Sequence, residues 1–247
     1  MKHFTRTFIS FCLLFLGVSG LSAQGQNYAF TWSRLFSGPQ TELPNDVAVD
    51  DAGNVVVAGN FTGNISVGAV NLTNQGEDDA FLAKFTPGGQ LMWAISFGGS
   101  GADIARSVTT DLSNNIYVTG SFVGRCNFSG AEQRISRGEA DVYLAKFDPN
   151  GVLIWVQTAG GTGNDIANGC AFRQIDITGL VAVTGQFDST MVFTAQDQLI
   201  PAGETDVFVA AWDLNGTFNW AIGGGSDGVD VGYGVAVDPL GDLYVAG

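Results

Sequence analysis

The sequence predicts an all-β fold in which one four-stranded unit of about 62 residues recurs along the chain. Three observations carry that reading. Trp32, Trp93, Trp155 and Trp220 lie 61, 62 and 65 residues apart. Gly59, Gly120, Gly185 and Gly247 each close an apolar run such as Val118-Thr119-Gly120, and they lie 61, 65 and 62 apart. Between these markers run short β-branched and aromatic stretches separated by turn signals, with no helical periodicity. A fixed period this long marks an array of stacked supersecondary units.

The first 23 residues stand outside the repeat. Lys2 and Arg6 give a basic start, Phe8 to Val18 is apolar apart from Ser10 and Gly17, and Gly20-Leu21-Ser22-Ala23 is a small-residue exit. That is the layout of a cleaved signal peptide, and it falls short of the roughly 20 apolar residues of a membrane span. Export, to the medium or the cell surface, is the expectation, with residues 24–247 as the mature part. No later segment is long and apolar enough to span a membrane.

Residues 28–37, around Trp32, read as the fourth strand of a unit that has no first three strands. The expected units are 38–97, 98–159, 160–223 and the start of a fourth at 224–247. In the second unit, Arg106 to Thr110 is a short strand and Asp111-Leu112-Ser113-Asn114 a turn. Asn115 to Phe122 is a second strand, rich in residues that suit a pleated surface. A polar connection follows, Val123 to Ala140. Asp141 to Phe147 is a third strand, Asp148-Pro149-Asn150-Gly151 a turn, and Val152 to Gln157 a fourth strand.

The turns repeat with the strands. Asp50, Asp111, Asp176 and Asp238 open the first turn of each unit, and Asn114 stands where Gly53, Gly179 and Gly241 stand. An Asp in that place accepts backbone N–H groups further along the turn, and Gly or Asn tolerates the left-handed region. These carboxylates are therefore expected to be structural, not catalytic. The third unit carries three extra residues between Asp165 and Asp176, which must lengthen its first strand or the loop before it.

The strands are apolar on both sides. Phe81, Ala83 and Phe85 point one way and Leu82 the other, so each sheet must be sandwiched between neighbours. That describes the blade of a β-propeller better than an open solenoid. About 3.5 blades are expected where closed rings have about four to eight. The out-of-phase strand at 28–37 would close the last blade and hide its edge. The expectation is an incomplete ring, the front part of a longer protein.

Trp93 to Asp103, Val108 to Phe122 and Asp141 to Trp155 together resemble the bacterial β-propeller repeat known as the SBBP repeat. The resemblance covers nearly everything from Trp32 to Gly247. It implies a secreted or surface-attached propeller, often of seven blades, with no established catalytic residues. Two departures stand out: Ser37-Gly38-Pro39 replaces the Gly-Gly loop in the first copy, and Ala211 stands where Lys84 and Lys146 stand.

Composition narrows the chemistry. The net charge is −14, and it becomes −16 once Lys2 and Arg6 leave with the signal. That argues against nucleic acid as a partner. The single histidine, His3, lies in the signal, so the mature chain can hold neither a His-based triad nor His-ligated zinc. With Cys12 gone, Cys126 and Cys170 remain, and whether they pair is open.

Gly98-Gly99-Ser100-Gly101-Ala102-Asp103 and Gly160-Gly161-Thr162-Gly163-Asn164-Asp165 partly match calcium-binding β-roll repeats. Those rolls need the motif every nine residues or so. Here the copies stand 62 apart and each offers one carboxylate, at Asp103, Asp165 or Asp230. A glycine-permitted reversal between blades is the preferred reading, with no metal and no cofactor.

Tryptophans locked to the repeat are expected in the core, with Trp212 taking the place of Phe85 and Phe147. Lys84 and Lys146 are expected to snorkel or to pair with a carboxylate. The connections at 63–78, 124–140 and 188–205 differ most between copies, and binding contacts are expected there. They include the basic cluster Arg125, Arg134 and Arg137. The function expected is a non-enzymatic, exported scaffold that presents an adhesive surface to protein or polysaccharide. Two alternatives stand beside it: a quinoprotein-like or glycan-hydrolysing propeller with its site in blades beyond this chain, and a spacer in a surface array.

Overall fold

A computed structural model describes residues 32–175, 178–238 and 240–247. The signal-peptide reading of 1–23, residues 28–31 of the out-of-phase strand and the turn residue Asp176 lie outside them. Every named strand pairing is antiparallel. A short β1 (Phe36–Ser37) precedes the first blade. That blade runs β2 (Glu42–Val49), β3 (Val55–Phe61), a small hairpin of β4 (Ile65–Val67) and β5 (Val70–Leu72), β6 (Asp79–Phe85) and β7 (Leu91–Gly99). The second has β8 (Asp103–Thr110), β9 (Ile116–Ser129), β10 (Glu132–Phe147) and β11 (Leu153–Ala159). The third has β12 (Asp165–Ile175), β13 (Thr178–Phe187), a hairpin of β14 (Met191–Val192) and β15 (Gln198–Leu199), β16 (Asp206–Asp213) and β17 (Phe218–Gly224). A hairpin of β18 (Gly234–Val237) and β19 (Leu243–Ala246) begins a fourth. With three complete four-stranded units and part of another, the fold is an incomplete β-propeller.

One expectation changes and one open alternative closes. The connection at 124–140 is not an open loop: β9 and β10 carry their pairing out through Arg134↔Cys126 to Glu132↔Ser129 as a projecting arm. In the third blade the extra residues lengthen the first strand, so β12 spans 11 residues where β8 spans 8.

The cores lie between blades. Phe81, Ala83 and Phe85 pack with Trp32, Phe36 and Val57 on one side of the first blade. Ala80 and Leu82 pack with Val118, Phe122, Tyr143 and Phe147 of the second blade on the other. Tyr117, Val142 and Leu144 then meet Val181, Phe208 and Trp212 of the third. A sheet buried on both faces is stable only between neighbours, so the stacking energy is mostly interblade apolar burial.

The repeated glycines follow from a bulge. Register shifts fall between Pro44 and Asp46 in β2, Ala105 and Ser107 in β8, and Ala167 and Gly169 in β12. The partners there are Gly59, Gly120 and Gly185. Each bulge drives a first-strand carbonyl, of Leu43, Ile104 or Ile166, onto the spot a β-carbon would take. Gly247 meets Val231 in the same way. A bulge leaves one residue unpaired and re-aims it. Asn45 and Asn168 use that freedom to donate to Ala105 O (2.8 Å) and Gly232 O (3.0 Å) of the following units.

A second set of ties runs through the turns between third and fourth strands. Trp93 Nε1 donates to Pro149 O at 3.1 Å, and Trp155 Nε1 to Leu214 O at 3.2 Å. Trp32 Nε1 does the same to Pro87 O at 3.0 Å. Each indole also covers the turn glycine, Gly89, Gly151 or Gly216, held at φ of 76°, 82° and 86°. Trp32 thus occupies the place of a preceding blade's tryptophan, although residues 32–35 are not in a strand. Across the strand pair from Trp93 and Trp155 stand Lys84 and Lys146. Their ammonium groups reach the same two carbonyls, Pro149 O at 3.2 Å and Leu214 O at 2.9 Å.

Lys84 also pairs with Asp50 at 2.8 Å, and both side chains are 2% exposed or less. Removing one partner of a buried ion pair costs about 3–5 kcal/mol, because the other charge stays buried. Lys84→Met should therefore lose about 3–5 kcal/mol in urea unfolding. Lys146→Met should lose less, since Lys146 lies 3.9 Å from Asp111 and is 10% exposed.

Candidate functional site

Antiparallel order sorts the blades' ends. At one end lie the turns joining first to second and third to fourth strands. At the other lie the starts of first and third strands, the ends of the fourth, and the connecting hairpins.

At the turn end the repeated aspartates do structural work. Asp50 Oδ1 accepts from Ala52 N and Asn54 N, Asp111 Oδ1 from Ser113 N and Asn115 N, and Asp238 Oδ1 from Leu240 N and Asp242 N. Asn114 takes the left-handed position at φ 62°, matching Gly53 at 78° and Gly241 at 89°. Burial pushes the Asp50 carboxyl up, but hydrogen bonds from Lys84 and Asn54 together outweigh it and hold the group below its usual range.

At the hairpin end the Gly-Gly segments finish the fourth strands. Gly98 and Gly99 pair with Asn127 and Cys126 at the base of the second blade's arm, and Gly160 bridges to Val192 in the third blade's hairpin. The chain reverses from β7 into β8 over residues 100–102, and none of Gly98, Gly99, Gly160 and Gly161 is left-handed. They are glycine because neighbours press on them: a β-carbon on Gly99 would strike Arg125 O, and one on Gly161 would strike Thr190 O.

The loop aspartates do not stand singly. A β-carbon on Gly98 would sit 2.5 Å from Asp79 Oδ1 and 3.1 Å from Asp103 Oδ2. Gly225 bears the same relation to Asp206 and Asp230, and Gly160 abuts Asp141, whose charge also acts on Asp165. Asp103, Asp165 and Asp230 stand out in the sequence as loop carboxylates, whereas Asp79, Asp141 and Asp206, which repeat at 62 and 65 residues, read only as strand starts. Each carboxylate orders the chain just before it by accepting a backbone N–H four residues upstream. Asp79 takes Gln75 N at 2.9 Å, Asp103 takes Gly99 N at 2.7 Å, and Asp165 takes Gly161 N at 2.7 Å. Their other oxygens, with those of Asp141 and Asp206, are buried without a partner. Burial raises Asp79 and Asp141 to about 6. It raises Asp103 and Asp165 to about 7, with the neighbouring aspartate adding to the shift.

The remaining candidates are absorbed by the scaffold. Arg137 donates to Gly160 O and Val192 O, both at 2.9 Å, and so ties the second blade to the third. Arg134 holds Val156 O at 2.9 Å and pairs with Glu132, while Arg125 holds Gln133. The three arginines therefore do not converge as an anion site. Cys126 and Cys170 are buried free thiols. Trp212 lies in the core, as its alignment with Phe85 and Phe147 implies.

The four raised aspartates predict a pH response. Each binds a proton more tightly folded than unfolded, so each favours folding fully below its unfolded value near 3.8, and that contribution is lost as pH rises through about 6 to 7. In chelator-treated buffer the melting temperature should rise as pH falls from 8 to 5. Asp50, held low, should reverse the trend at more acid pH. A melting temperature that stays flat or falls from pH 8 to 5 would contradict the burial of these groups.

Comparison with known proteins agrees with the fold. Residues 93–121 match the family model described as a β-propeller repeat. The chain is also similar, at 26% identity over 78% of its length, to an uncharacterized WD repeat-containing protein of Acanthamoeba polyphaga mimivirus, spanning 17% of that relative. The repeat, the four-stranded blades and these matches make the chain a β-propeller repeat protein.

Proposed function

We propose that this protein is an exported, non-enzymatic propeller that presents a binding surface to protein or polysaccharide. The observation that carries the reading is a division of labour along each unit. Residues that repeat, the turn aspartates, the tryptophans and the lysines, are spent on hydrogen bonds and ion pairs within and between blades. Residues that do not repeat gather in the hairpins. Rigid scaffolds place recognition on such segments.

The second blade's arm offers one such surface. It overhangs β11 and leaves an open groove of about 300 Å³ lined by Ser129, Glu132, Arg134, Ile154, Trp155 and Gln157. Trp155 gives its N–H to Leu214 O but keeps part of its ring exposed, and such a ring among amide, carboxylate and guanidinium groups suits a sugar chain, whose faces are apolar and whose rims carry hydroxyls. Export rests on the first 23 residues.

Glycan-array screening of the intact protein tests the reading. Binding should fall at least tenfold in a Glu132→Ala, Gln157→Ala double variant, with stability unchanged to within about 0.5 kcal/mol, as for surface substitutions. Full retention of binding would place recognition elsewhere. No retention on glycan or protein arrays would favour the spacer reading.

A further inference from the structure

We propose that Asp79 and Asp103 hold a divalent cation of the oxygen-ligated kind, such as calcium, between the first and second blades. The pair is fully buried, 0% exposed at both residues. Asp79 Oδ1 and Asp103 Oδ1 have no hydrogen-bond partner. Among the described residues no lysine or arginine pairs with either group, and the ion pairs lie elsewhere. The nearest polar neighbours add no countercharge. Asp78 adds negative charge beside Asp79, and the Cys126 thiol beside Asp103 is only a weak donor. Asn127 stands across the strand pair from Gly98, and its amide oxygen is likewise buried without a partner. Apart from the Cys126 thiol and the Asn127 amide N–H2 the buried set is made of acceptors, and it lacks donors enough to satisfy itself. It needs protons or a cation.

Gly98 leaves the space. Its missing β-carbon would fall 2.5 Å from the orphaned Asp79 oxygen, so any side chain there would fill the cradle. Two carboxylates that bind one- or two-handed, an amide oxygen and water supply the six to eight oxygens calcium takes. Among the described residues no group of three or more His, Cys, Asp or Glu is placed to share a metal ion, so the aspartate pair would take its remaining ligands from Asn127 and water. The arrangement recurs. Gly225 leaves the same space against Asp206 and Asp230. At Gly160 the Asp141 pair has Arg137 nearby, whose charge offsets part of the need. A cation in this position would join the third strand of one blade to the first strand of the next, at the end opposite the lysine and tryptophan ties.

The test is equilibrium dialysis of chelator-treated protein against calcium chloride at pH 8, with melting curves alongside at pH 8 and pH 5.5. The expected result is saturable binding of at least one equivalent, with a melting temperature that rises at pH 8 and rises less at pH 5.5, where protons compete. Asp79→Asn with Asp103→Asn should remove one equivalent. Should that double variant fail to fold, Gly98→Ala serves instead and should weaken the tightest site at least tenfold. No bound calcium at 10-fold molar excess over protein up to the millimolar range would overturn the proposal. So would unchanged stoichiometry and affinity in the variants. Stabilisation by acid without any effect of calcium would assign the pair to protons and overturn it equally.

Discussion

Pro149 offers its carbonyl to two donors of the preceding blade, the Lys84 ammonium and the Trp93 indole, and Leu214 does the same for Lys146 and Trp155. Much else depends on these contacts. A blade apolar on both faces has no stable existence alone, and apolar packing by itself leaves sheets free to slide. Directional bonds to one carbonyl set the register between neighbours. They also explain why the turn must be tight: the indole lies on the left-handed glycine, where any side chain would hold it off. The lysine carries its charge inward only because Asp50 or Asp111, itself fixed by backbone N–H groups, waits at the first turn of the same blade.

The opposite end is organised by different forces. There the fourth strand of one blade runs into the hairpin of the next, and glycine permits the approach. The aspartates that open first and third strands order the preceding chain with one oxygen and leave the other without a partner. At the first two interfaces one end is thus closed by ion pairs and hydrogen bonds. The other carries buried negative charge, whose state responds to protons and, as proposed, to cations.

Much of the unit was legible in the sequence. Asp111 and Asn114 announce their turn because an Asx-turn and a left-handed residue are local properties, and both are observed. Phe81, Leu82 and Ala83 announce burial on both faces because strand alternation is local too. The arm at 124–140 reads in sequence as a polar connection, because non-repeating residues such as Arg125 and Gln133 give little sign that they pair across a hairpin. The Gly-Gly segments stand out in the sequence, but the contact that demands glycine there does not. Their constraint comes from Arg125 O and Thr190 O, which the next blade's hairpin supplies. Asp79 and its counterparts were passed over although they keep the same period as Asp103, because a carboxylate at a strand start looks ordinary until a second one lies beside it.

The sequence by itself determined the period, the four strands, the turns that join them and the two-sided burial that demands neighbours. Each of these follows from backbone preferences and from the alternation of side chains over a few residues. The tertiary structure alone decided what the repeated side chains do. The partners of Trp93, Lys84 and Asn45 come from an adjacent blade, some 60 residues away. Only stacking brings such groups within hydrogen-bond distance, and only stacking removes the water that would otherwise make their charges unremarked.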